Sequence, residues 1–163
     1  MPDQTDPVGN DSVDAITDAL LTASRLLVAI SAQSIANVDE TLTIPQFRTM
    51  VILSTRGPVN LATLAGLLDV NPSTTGRMAE RLVAAGMINR QPHPDSRREL
   101  VVELTAHGLD VVAAVTGHRR GRIAEVVRNM PPRERRGLVR ALTAFTTAGR
   151  EPAATVELDE FLA

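Results

Sequence analysis

Apolar residues recur at helical spacing from Val13 onward. Ile16, Ala19, Leu20, Ala23, Leu27 and Ile30 fall on one face and predict a helix from Val13 to about Asn37. Asp39 to Thr43 form a break, and Pro45, tolerated in a first helical turn, opens a second helix to about Thr55 that Gly57-Pro58 ends. Asn60 is suited to cap a short helix, Leu61 to Leu68, whose Leu61, Leu64, Ala65 and Leu68 make a single stripe. A tight turn at Asp69-Val70 leads to Asn71, a second N-cap, with Pro72 in the first position of a helix that runs to about Ala85 and stops at Gly86. Two short capped helices joined by so short a turn predict a helix-turn-helix.

Beyond Gly86 the period shortens. Met87 to Gln91 and Glu99 to Leu104 read as strands, the second rich in β-branched residues, with a polar loop from Pro92 to Arg98 between them. This predicts a hairpin with a basic tip. Thr105 then caps a long helix to about Met130, Pro131-Pro132 interrupt it, a further helix covers about Arg133 to Ala148, and Val156 to Leu162 is a last amphipathic fragment. The fold class expected is mainly α with a small β-hairpin wing. Residues 1–12 read as a disordered lead-in, 13–40 as a long helix, 41–104 as a winged helix-turn-helix lobe and 105–163 as the C-terminal helices.

Composition agrees with helix packing, because the apolar supply is Leu, Val, Ala and Ile, with three Phe and no Trp or Tyr. The chain of 163 residues is sized for one compact protomer. It has no cysteine, so disulfides, thiol sensing and cysteine zinc sites are excluded. The acidic, polar start is unlike a signal peptide, and the apolar stretch from Ala19 to Ala36 carries Arg25, which argues against a membrane span and for a cytoplasmic protein. No catalytic or cofactor motif is present: there is no GxSxG, P-loop, GxGxxG or HExxH, so neither an enzyme nor a cofactor is expected.

The net charge of −2 looks unfavourable for nucleic acid until it is mapped. Residues 1–40 carry −6 and residues 151–163 carry −4, whereas residues 71–98 carry +3 from Arg77, Arg81, Arg90, Arg97 and Arg98 against Glu80 and Asp95. Positive charge therefore gathers on the predicted helix-turn-helix and wing. A second basic run, with eight arginines between Arg119 and Arg140, is opposite in sign to both termini; it reads as a solvated helix face, as interprotomer ion pairing or as an anion site.

The stretch from Leu42 to Leu53 and the longer one from Gly57 to Gly108 carry a resemblance. The latter holds NPSTTGRMAERLVAAG, the tip Asp95-Ser96-Arg97-Arg98, a β-run and Leu104-Thr105 opening a helix. Together they resemble the core of the multiple-antibiotic-resistance-regulator (MarR) family over about 65 residues. The resemblance implies a homodimer interlocked through the first and the C-terminal helices, a double-stranded inverted-repeat operator as partner, and a small anionic or aromatic ligand. It makes Arg97 the wing-tip residue and Asp95 the group that holds an arginine in place. An apolar-faced helix at each end of a small chain agrees with dimerisation.

Steps of about 100° per residue place Thr75, Met78, Ala79, Leu82 and Ala85 on the inward side of the helix that begins at Pro72. Ser73, Gly76, Arg77 and Glu80, flanked by Thr74 and Arg81, face away. The expected DNA-binding residues are therefore Ser73, Thr74, Gly76, Arg77 and Arg81 from this helix, with Arg97 and Arg98 from the wing. Arg77 suits guanine O6 and N7, Arg81 a phosphate, and the wing arginines a narrow minor groove. Glu80 reads as a cytosine reader or, in preference, as a partner that positions an arginine, and His93 as a loop residue. Gly76 departs from the family pattern, which commonly has a side chain here; it either permits close backbone approach or is drift. His107 and His118 lie about 16 Å apart along one helix, too far for one metal. The competing reading of the whole chain is a winged helix kept as a protein-interaction module with DNA binding lost, favoured only by Gly76 and the net negative charge.

Overall fold

The computed structural model describes residues 11–151, apart from the side chain of Arg97. Most of the predicted lead-in and the fragment from Val156 to Leu162 lie outside the described residues. Seven helices and three strands follow in the order α1 (Val13–Ala36), α2 (Ile44–Arg56), β1 (Val59–Asn60), α3 (Leu61–Leu68), α4 (Pro72–Ala84), β2 (Ile88–His93), β3 (Ser96–Leu104), α5 (Ala106–Asn129), α6 (Pro132–Arg135) and α7 (Leu138–Ala148). The mainly helical architecture with a hairpin wing is the one expected.

The predicted caps at Asn60, Asn71 and Thr105 are present, and Ser12 and Thr43 cap α1 and α2 besides. Ser12, Thr43, Asn60, Asn71 and Thr105 each accept a hydrogen bond from a backbone N–H of the first turn of their helix. At α2 the cap is reciprocal, because the Gln46 side chain also accepts from the Thr43 N–H at 2.9 Å. Helix α3 ends on Asp69 in the left-handed conformation, φ 54°, which Asp tolerates better than most residues. Helix α4 ends on Gly86, φ 72°, in a Schellman arrangement: Gly86 N–H donates to Val83 and Met87 N–H to Leu82, both at 2.9 Å.

Strand β1 was not expected. Two residues, Val59 and Asn60, pair with Val102 and Val101 and place β3 in the middle of an antiparallel sheet ordered β1-β3-β2. So short a run has no period for a sequence reading to detect. The wing is also longer than expected. Strands β2 and β3 remain paired out to His93 and Ser96, with a register shift between Pro92 and His93. The predicted loop from Pro92 to Arg98 thus shrinks to a turn at Pro94-Asp95, and Arg97 and Arg98 lie on the outer end of β3. Ladder pairing satisfies backbone groups that a loop would leave to water, which is why the strands extend.

The C-terminal region differs as well. The single helix expected from Arg133 to Ala148 is broken at Gly137, φ 77°, into α6 and α7. Ala85, assigned to the inward side of α4, is exposed, since it follows the last helical residue and lies beyond the packed stripe.

One core joins these elements. Ile35 of α1, Phe47, Met50 and Leu53 of α2, Leu64 of α3, Ala79 and Leu82 of α4, Ile88 and Val102 of the sheet, and Val111 and Val115 of α5 are all buried together. Helix α1 enters it only through its C-terminal end, where Ile30, Ser34 and Ile35 are its buried residues. Elsewhere Val13, Leu21 and Val28 of α1 and Val139 and Phe145 of α7 are more than half exposed among the described residues. By length and composition α1 is also long and apolar enough to cross a membrane. A single helix of this kind is weak evidence of a span and does not overturn the expectation drawn from Ala19 to Ala36.

The base of the wing is tied to α5 by Thr105. Its N–H donates to the Met87 carbonyl at 3.0 Å, its hydroxyl donates to the Gly86 carbonyl at 2.6 Å, and the same hydroxyl accepts the Gly108 N–H at 3.0 Å. Gly108 completes the contact: a Cβ there would stand 2.1 Å from the Met87 carbonyl oxygen and 3.0 Å from Leu104 Cδ2. Gly108→Ala is therefore expected to cost about 1–3 kcal/mol, read as a lower melting temperature in thermal unfolding; an unchanged value would show that the junction yields freely.

Asp39 closes the break after α1. Its Oδ1 accepts from the Thr41 hydroxyl at 2.7 Å and the Thr41 N–H at 2.9 Å, and these bonds, with a smaller contribution from His107, hold its carboxyl below the usual value. A lowered folded-state pKa means the stabilisation is present above the unfolded carboxylate pKa and is lost as pH falls through the lowered folded value. Asp39→Ala should lower stability at pH 7 by roughly 0.5–1 kcal/mol, and denaturant titrations at successively lower pH should show the gap closing in the acid range.

Candidate nucleic-acid interface

Helix α4 is split lengthwise. Thr75, Ala79 and Leu82 are buried against the core, Met78 is half-buried, and Ser73, Thr74, Arg77, Glu80 and Arg81 are exposed on the other side. The arrangement follows from the alternation of small or aliphatic with polar residues at three- and four-residue steps. Thr75 spends its hydroxyl on the Asn71 carbonyl at 3.3 Å, so a polar residue sits in the core with its donor satisfied. Thr49 does likewise, donating to the Pro45 carbonyl at 2.9 Å.

Asn71 organises the leading end of α4. Its Oδ1 accepts the Thr74 N–H at 2.8 Å and the Ser73 hydroxyl at 2.7 Å. The Ser73 proton is thus directed inward, and toward a ligand Ser73 presents lone pairs rather than a donor. The hydroxyl of Thr74, on an exposed side chain, makes no hydrogen bond among the described residues, and Arg77 and Arg81 follow one and two turns along. Glu80 forms no ion pair among the described residues, so the positioning partnership expected of it is absent from this conformation.

A groove of about 280 Å³ runs between α4 and the N-terminus of α2, lined by Thr43, Pro45, Gln46, Thr74, Arg77, Met78 and Arg81. It brings both arginines of α4 beside the first turn of α2, whose positive dipole end adds to their charge. Thr43 and Gln46 were not among the expected site residues. The only sequence signal for them was a helix start at Pro45; their nearness to α4 depends on how the helices cross.

At the wing, Arg90 and Arg98 are exposed on the two strands. His93 does more than occupy a loop, because its Nδ1 accepts the Asp95 N–H at 3.1 Å and shapes the turn. Asp95 makes no ion pair with Arg98 among the described residues, and the Arg97 side chain is outside the description. The wing is braced from behind: the Asn60 side chain, while capping α3 through Thr63 N–H at 2.7 Å, donates to Glu99 of β3. The Gln91 amide donates to Glu103 across the strands.

Gly76 lies mid-helix on the outward face, half-buried between its neighbours. A Cβ at this position would meet no atom within 4 Å, and its φ is not positive. The chain's own packing therefore has no need of glycine here, although glycine costs a helix interior about 1 kcal/mol relative to alanine.

The basic run from Arg119 is not uniformly solvated. Arg119 folds back over the Phe47 ring, its guanidinium carbon 5.9 Å from the centroid, within cation–π range. Arg122 and Arg133 approach Glu125 and Glu134 at 4.0 and 3.0 Å. A second groove, of about 460 Å³, separates the C-terminal end of α1 from the middle of α5 and is lined by Gln33, Ser34, Asn37, His118 and Arg122 above a floor of Ala and Gly. Ser34 is 1% exposed and its hydroxyl has no hydrogen-bond partner among the described residues.

Comparison with known proteins matches residues 42–100 to the MarR family model. Over 77 residues the chain is 35% identical to the HTH-type transcriptional repressor NicR of Pseudomonas putida, covering 47% of this chain and 49% of that protein. The chain spans about half the length of the curated relatives it matches. Among solved structures, RV1404 from Mycobacterium tuberculosis shares 70% identity, with a TM-score of 0.83 over 89% of this chain and 99% of that one. The same fold recurs at 18% identity and a TM-score of 0.62 in a MepR variant from S. aureus bound to an oligodeoxyribonucleotide, covering 82% and 96% of the two chains. A helix-turn-helix with an outward arginine face, a three-stranded wing and these likenesses together establish that the chain belongs to the MarR family of winged-helix transcriptional regulators.

Proposed function

We propose that the protein is a cytoplasmic, sequence-specific repressor that binds a palindromic operator as a homodimer and is released by a small ligand. The observation that carries this reading is α4: one side is locked into the core, and the other presents Thr74, Arg77 and Arg81 with no side-chain partner among the described residues. In a major groove Arg77 suits guanine and the Thr74 hydroxyl a base or phosphate, while Ser73 accepts from an amino group of adenine or cytosine. Arg81, with Thr43 and Gln46 at the end of α2, suits a phosphate on the rim of the groove. Arg97 and Arg98, on the strand leaving the wing turn, reach the adjacent minor groove.

The exposed apolar side chains of α1 and α7 support residues 13–40 and 105–163 as the dimerisation region, with 41–104 as the DNA-binding lobe. A twofold dimer sets two recognition helices about one helical turn of DNA apart, hence an inverted repeat of roughly 16–20 bp. The groove between α1 and α5 is the candidate ligand site. Its unpartnered Ser34 hydroxyl, with Arg122, suits a carboxylate. Repression is favoured by the likeness to NicR, and DNA as partner by the fold shared with DNA-bound MepR.

The test is fluorescence anisotropy with a duplex from upstream of the protein's own gene, beside a shuffled duplex, at two salt concentrations. Binding to the native duplex alone, weakening steeply with salt, is expected. Arg77→Ala should weaken it by about 1–3 kcal/mol, and Arg97→Ala should weaken it while the melting temperature and dimer mass stay unchanged. Equal weak binding to both duplexes, together with failure to enrich any genomic fragment, would overturn the repressor reading in favour of a protein-interaction module.

A further inference from the structure

We infer that Gly76 is a specificity-determining position, a notch in the outer face of α4 that receives the C5-methyl of a thymine in the operator. The inference rests on the reading of the chain as a sequence-specific DNA binder and deepens it. Three observations lead to it. The residue sits in regular helical backbone, so no special conformation calls for glycine. A Cβ there would point into open space, in contrast to Gly108, whose Cβ would strike the Met87 carbonyl. The outward neighbours one turn before, beside and one turn after it, Ser73, Arg77 and Glu80, all carry exposed side chains, so the missing methyl leaves a low, open point between them on the outer face of the helix.

This point is kept open by its surroundings. Ser73 is drawn toward Asn71 by the hydrogen bond at 2.7 Å and does not fold over it. At Gly76 itself the helix presents only backbone, whose N–H groups belong to the helix ladder. Among the base-edge features of the major groove, the thymine methyl is the one apolar projection, and it matches the absent side chain in size. With a methyl seated at Gly76, the helix lies close enough for the adjacent Arg77 to reach an adjoining guanine; a side chain at Gly76 would hold both away.

The test compares the wild type with Gly76→Ala on the operator and shuffled duplexes, and on operators in which each half-site thymine is replaced in turn by deoxyuridine. Gly76→Ala should melt about 2–4 °C higher, because alanine is the better helix former and meets no clash. It should nevertheless bind the operator about tenfold more weakly, with affinity for the shuffled duplex within about twofold of wild type. One thymine-to-uracil change should weaken the wild type several-fold and leave Gly76→Ala unaffected. A variant that binds the operator as well as wild type, or a wild type indifferent to every methyl removed, overturns the inference. A wild type that does not discriminate the operator from the shuffled duplex overturns the functional reading itself.

Discussion

The structure depends on the junction where Gly86 and Met87 meet Thr105 and Gly108. Three separate requirements converge on a few atoms: α4 must end, the wing must begin, and α5 must start beside both. Gly86 turns the chain with a positive φ, the Met87 carbonyl receives the Thr105 N–H, and the Thr105 hydroxyl bridges the Gly86 carbonyl to the first turn of α5. The contact is close enough that residue 108 has no room for even a methyl group. Because hydrogen-bonded backbone at van der Waals distance has little freedom to shear, the recognition helix, the wing and the long helix α5 are held in fixed relation.

That fixity is what gives α4 its directional character. The buried side is aliphatic and closed off by satisfied threonines, so the exposed side is set with an orientation that the helix cannot change by rolling. The charge of the chain is arranged accordingly. A protein with a net charge of −2 repels DNA as a whole, but the field near α4 and the wing is governed by the arginines within about a Debye length.

The core also runs past the helix-turn-helix into Ile35 of α1 and Val111 and Val115 of α5. Movement of α1 or α5 at the proposed dimerisation region therefore cannot leave α2 and α4 undisturbed, since all pack on the same side chains. The groove between α1 and α5 lies on this connection. A ligand that altered the spacing of those helices would be felt at α2 and α4, because all four pack on the same core side chains.

Much of this was legible in the residues alone. The caps at Asn60, Asn71 and Thr105, the stop at Gly86 and the inward stripe of α4 are local properties, because the spacing of a helix and the chemistry of its ends are decided within a few residues. The candidate residues of α4 were legible for the same reason: once Thr75, Ala79 and Leu82 face inward, Arg77 faces out. Tertiary structure decided the rest. Strand β1 exists because β3 supplies a partner, the wing strands lengthen because each completes the other's hydrogen bonds, and Gly137 breaks a helix whose periodicity ran on through it. The pairing of Arg77 and Arg81 with the end of α2, the stacking of Arg119 on Phe47, and the open space at Gly76 against the crowding at Gly108 depend on residues distant in sequence. No local pattern encodes them, because what surrounds a side chain is settled only when the elements have packed.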